Sequence, residues 1–218
     1  MKRLAFCAAT AAAAACAGQS SPAGSAPAAP APAATRDSTA SSLIPAGYGT
    51  LRQDDISIVL ESGGVRVSAF PLDESVIRVL APDSYRSLHA TVEDNRGRIE
   101  QRASMHGVRQ PRVWYVRFDG LAPDARFVPT DLTVTSGGRD YRPVDVLPLT
   151  TGFGEQRLQP RDSQRGLLIF EEAVDPSQPI TVSIGTVRNV DWDFGTNGIL
   201  RKLDTERASI RARAAGHP

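Results

Sequence analysis

The chain has 218 residues, with 25 lysines and arginines against 24 aspartates and glutamates, and only two cysteines. The near-balance of charge gives no general electrostatic attraction to nucleic acid, and the cysteine count gives no disulfide framework. The length suits one domain that folds on a substantial hydrophobic core.

Lys2 and Arg3 precede an apolar run of small residues that ends at Ala15, which is the order of a secretory leader and is too short to span a bilayer. Ala13-Ala14-Ala15-Cys16 resembles the bacterial lipoprotein cleavage site, which implies a leader over 1–15 and a lipid-modified Cys16 as the first mature residue. Ala15-Cys16-Ala17 also satisfies the small-x-small rule of ordinary secretion, so a secreted, unanchored protein is the alternative. Without the leader, Cys16 has no second thiol to pair with, and 23 basic residues face 24 acidic ones. Residues 17–43 are rich in Ala, Pro, Ser and Gly and lack the apolar bulk to fold. Together with Cys16 they read as a disordered tether over 16–43, reaching about 30 Å as a flexible coil.

From 44 to 196 apolar and polar residues alternate between Gly, Pro and Asp punctuation, which predicts one mainly β domain. Residues 56–60 and 65–70 flank Ser62-Gly63-Gly64 as a hairpin, and 131–135 and 141–146 flank Ser136-Gly137-Gly138 as a second. Further strands are predicted at 76–80, 113–118, 166–171, 180–184 and 187–194. Many short strands without a βαβ rhythm favour an antiparallel β-sandwich. Tyr85, Leu88, His89 and Val92 fall on one helical face, which predicts one short inserted helix, started at Ser84 and stopped before Gly97. Residues 96–112 are expected to be a loop or an irregular strand edge. The tail over 197–218 offers only Leu200, Leu203 and Ile210 as an apolar face and is expected to be weakly helical or frayed, with a basic end.

Chemistry-bearing candidates are few. In Asn189 to Gly198, oxygen side chains alternate as in a calcium loop, making Asp191 and Asp193 the candidate metal ligands. Phe194 stands where the loop needs glycine and Leu200 where it needs glutamate, so a half-buried strand with Val190, Trp192 and Phe194 inward is the preferred reading. Trp114, Val116 and Phe118 are expected to form core, leaving Tyr115 and Arg117 on the other face as candidate binding residues. No Gly-x-Ser-x-Gly elbow or His-Glu-x-x-His motif occurs, and His89, His106 and His217 have no recognisable partner, so no catalytic residue and no cofactor are assigned.

The stretch Ala125-Arg126-Phe127-Val128-Pro129-Thr130-Asp131-Leu132-Thr133-Val134, then Gly138 to Tyr141, Gly166 to Glu171 and Ile180 to Ile184, resembles the telokin-like, immunoglobulin-like extracellular domains of uncharacterised bacterial lipoproteins. The resemblance spans roughly 125–184 and implies an antiparallel Ig-like β-sandwich serving as a binding or assembly module. The expectation is a lipid-anchored protein of the cell envelope. Ala17 in place of an aspartate after Cys16 leans it towards the outer membrane, facing the periplasm or the surface. Its expected partners are the membrane, through the anchor, and an envelope protein or cell-wall component, with no nucleic acid. The alternative is an exported hydrolase or metal-dependent enzyme whose site is spread over loops.

Overall fold

The computed structural model describes residues 44–216. The leader, Cys16 and the tether expected over 1–43 lie outside the described residues, as does His217. Within them the chain is mainly β, with antiparallel pairing in three sheets.

β1 (Ile58–Ser62) and β2 (Val65–Pro71) form the first hairpin where it was expected. Gly63 and Gly64 both have positive φ, 59° and 78°, the geometry that a two-residue turn between right-twisted strands demands. β3 (Arg112–Gly120) pairs with β2. β4 (Ala125–Arg126) later pairs with β8 (Arg157–Leu158) as a small separate ribbon. β5 (Leu132–Ser136) and β6 (Arg139–Tyr141) form the second hairpin around the expected glycine turn, but its second arm is shorter than 141–146, and Asp145 and Val146 belong to a strand of the other sheet. β7 (Asp145–Pro148) and β9 (Ser163–Phe170) complete a five-stranded sheet in the order β1-β2-β3-β9-β7. β10 (Ile180–Ile184) and β11 (Val187–Trp192) complete a four-stranded sheet in the order β11-β10-β5-β6.

The two larger sheets share one core. Trp114, Val116 and Phe118 of β3 are fully buried, as their alternation predicts. Trp114 lies 6.4 Å from Trp192 of the other sheet and meets Phe170 edge-on at 5.7 Å. At the far end of β3, Phe118 stacks on Phe127 at 4.4 Å, and Phe153 closes a three-ring cluster.

Helices differ most from expectation. Residues 76–80 are not a strand, because Asp73 caps a short helix, α1 (Glu74–Ile77), by accepting from the Ser75 N–H at 2.9 Å. The inserted helix is not short: α2 (Pro82–Met105) has 24 residues and takes up most of the expected loop, while Arg112 already belongs to β3. Pro82 opens it, where its missing N–H costs nothing. Gly97 does not stop it but sits in open space on its surface. The stop is Gly107, whose φ of 74° lets its own N–H reach Ser104 O and the Val108 N–H reach Ala103 O, a Schellman closure.

The tail also departs from the frayed expectation. α3 (Ile199–Ala215) buries Leu200, Leu203 and Ile210, together with Ile199 and Glu206. The three apolar residues alone make a thin face, and a buried polar contact adds to them. In the fold, Glu206 accepts from Thr50 N at 2.9 Å, Thr50 Oγ1 at 3.0 Å and Arg213 Nη2 at 2.5 Å.

The expected alternation fails at β11. Ile180 opposes Trp192 but Val182 opposes Asn189, so β11 carries one extra residue at a bulge. Beyond the bulge the faces exchange. Trp192 is fully buried while Val190 is 58% exposed, and Phe194, past the strand end, is also exposed.

Candidate functional site

Side chains directly opposite each other in a sheet share a face, so the β3–β9 register fixes which groups can act together. Tyr115 opposes Leu167, and Arg117 opposes Arg165. Both pairs lie on the face of the five-stranded sheet opposite that of Trp114. Across this face runs α2, pinned at its C-terminal end where Arg102 Nη1 meets Asp145 of β7 at 2.9 Å.

Between helix and sheet lies a cleft of about 330 Å³. Tyr115 and Arg165 come from the sheet, Thr150 from the segment after β7, and Ser87, Thr91, Asp94 and Asn95 from α2. The helical residues meet on one wall because they recur at helical spacing. The lining is mainly polar: Ser87 and Asp94 are exposed, while the helix buries Leu88, Ile99 and Ala103.

Tyr115 is partly buried, with its ring stacked on Phe70 at 5.2 Å. Burial pushes its hydroxyl above the ordinary tyrosine pKa, while the Arg165 and Arg117 guanidinium groups oppose that rise. Arg117 Nε donates to Asp119 Oδ2 at 2.9 Å. Arg165 donates through its backbone N–H to Thr150 Oγ1 at 3.1 Å, but its guanidinium has no ion-pair or hydrogen-bond partner among the described residues. The Asp94 carboxylate and the Tyr115 hydroxyl likewise have none there. The cleft therefore gathers a cation, an anion and a hydroxyl that do not satisfy one another.

The structure thus places Tyr115 and Arg117 on one face and adds Arg165 opposite Arg117, a neighbour that sequence reasoning missed. Only the strand register could have found it, because β3 and β9 are far apart in sequence. Asp191 and Asp193 are elsewhere. Asp191 Oδ2 accepts from Asn189 Nδ2 at 2.8 Å, and Asp193 Oδ1 accepts from the Gly195 N–H at 3.0 Å. Among the described residues, no group of three or more His, Cys, Asp or Glu side chains could hold a metal ion.

Two histidines have structural partners. Glu74 binds His89 Nδ1 at 2.8 Å, Arg78 Nε at 2.5 Å and the Tyr85 hydroxyl at 3.3 Å, which fastens α1 to α2. His106 lies 3.6 Å from Asp145 and lines a second, more apolar pocket of about 400 Å³ beside β7. The open edge of β7 is blunted. The Leu149 N–H bonds to Arg165 O in the ladder, so by alternation Val146 and Pro148 face outward. Val146 N–H is occupied by Asp145 Oδ1 at 2.6 Å, and Pro148 has no N–H to offer.

Comparison with protein-family models, with curated proteins and with solved structures finds no match to this chain. No helix among the described residues is long and apolar enough to cross a membrane.

Proposed function

We propose that this is a lipid-anchored protein of the cell envelope, attached through Cys16, whose domain is an Ig-like β-sandwich that works as a binding module. The anchor rests on the leader and cleavage pattern around Cys16, and the module on the mainly antiparallel β-fold together with the resemblance to telokin-like lipoprotein domains. The binding reading is carried by one observation: the unsatisfied Arg165, Asp94 and Tyr115 side chains that converge on the cleft between α2 and the five-stranded sheet. Asp94 and Arg165 are exposed to solvent, and a concavity that gathers them with the half-buried Tyr115 without pairing them supplies the few convergent polar groups that mark a ligand site.

The anchor is tested by fatty-acid labelling and membrane fractionation of the wild type and Cys16→Ser in a bacterial host. Label and membrane association are expected in the wild type and lost together in the variant. A processed wild type that is unlabelled and soluble would overturn the anchored reading in favour of secretion.

A further inference from the structure

We infer that the cleft binds a saccharide unit bearing a single anionic group, held by Arg165, an assignment that rests on the envelope-binding reading above. Two arginines directly opposite in adjacent strands repel each other, an arrangement that destabilises a sheet unless each charge is met. Asp119 meets Arg117. Nothing among the described residues meets Arg165, so one positive charge remains at the mouth of the cleft for an anion to take.

The opposite wall sets the rest of the ligand. Asp94, unpaired among the described residues, repels a polyanion and accepts from hydroxyl or amide donors, and Ser87, two turns back along the helix, adds a hydroxyl to the same wall. The ligand therefore carries negative charge at one end and hydrogen-bond donors at the other. The Tyr115 ring offers apolar contact and its hydroxyl a further bond between the two ends. A volume of about 330 Å³ lies near the lower limit of small-ligand sites and suits one or two sugar-sized rings. A carboxylated sugar meets all of these requirements; a nucleic acid, with a charge at every unit, meets Asp94 unfavourably.

The test is calorimetric and NMR titration of the full chain, extracted in detergent, with glucuronate, N-acetylmuramic acid, glucose and glutamate. Both acidic sugars are expected to bind, and glucose at least about tenfold more weakly, the discrimination that one charged contact supplies. Affinity is expected to fall as salt is raised. Arg165 is exposed, so Arg165→Gln should melt like the wild type while losing about tenfold in affinity for the acidic sugars only. Equal binding of glucose, binding of glutamate in preference to both sugars, or acidic-sugar affinity unchanged in Arg165→Gln overturns the assignment. So does absence of binding by all four probes. Failure here with Cys16 still labelled leaves the anchored reading standing, whereas loss of labelling overturns that reading whatever the cleft binds.

Discussion

Glu206→Ala gives the sharpest test of how the C-terminal helix is held. Glu206 is only 9% exposed, and three donors converge on its Oε1: the Thr50 N–H, the Thr50 hydroxyl and Arg213 Nη2. A hydrogen bond to a charged group contributes about 1.5–3 kcal/mol, and removing one partner of a fully buried pair costs about 3–5 kcal/mol. The Arg213 side chain is 38% exposed, so water recovers part of its loss, whereas the Thr50 amide is left without an acceptor. The balance is a loss of roughly 3 kcal/mol, mostly from the two Thr50 bonds and the vacated space. For a domain of this size that corresponds to a drop in Tm of about 6–12 °C. Glu206→Gln keeps an acceptor for Thr50 and should cost only about 1 kcal/mol. Urea unfolding followed by circular dichroism measures both, and a double-mutant cycle with Thr50→Ala should show strong non-additivity. A Glu206→Ala protein within about 1 kcal/mol of the wild type would refute the docking described for α3, since a residue on a frayed tail has little to lose.

The β11 bulge makes opposite demands on two neighbouring apolar residues. Val190→Asp should change stability by no more than about 0.5 kcal/mol, because the side chain points to solvent. Trp192→Ala should cost about 3–5 kcal/mol, since it empties the core and removes the indole bond to Pro176 O. A large loss for Val190→Asp would restore simple alternation and remove the bulge. Ultraviolet difference titration tests the cleft. Burial holds the Tyr115 pKa above the ordinary 10.0, and Arg165 lowers it, so Arg165→Gln should move its titration to still higher pH. The folded state then binds the proton more tightly than the unfolded chain. Its contribution to stability is complete below pH 10 and is lost as pH rises through the folded pKa. An unmoved Tyr115 titration in Arg165→Gln would separate the two groups.

Legibility in the sequence followed the range of the forces involved. Both glycine hairpins, the strand at β3 and the inward set Trp114, Val116 and Phe118 could be read directly, because turn geometry and strand alternation act over a few residues. The length of α2 was misread for a local reason: Gly97 and Gly107 look alike as stop signals, and only the second adopts the left-handed backbone that closes a helix. The cleft wall on α2 was not legible, because the helical period of Tyr85, Leu88, His89 and Val92 marks the packed side and says nothing of which strand lies near Ser87, Asp94 and Asn95.

By itself, the sequence determined the β-rich character of the domain and the position of Tyr115 and Arg117 opposite the core, since each follows from side-chain chemistry and period. Tertiary structure alone decided that Arg165 stands across from Arg117, that Glu206 ties the last helix to Thr50, and that a bulge turns Val190 outward. Each of these depends on register or packing between segments far apart in the chain, and no local propensity encodes such pairings.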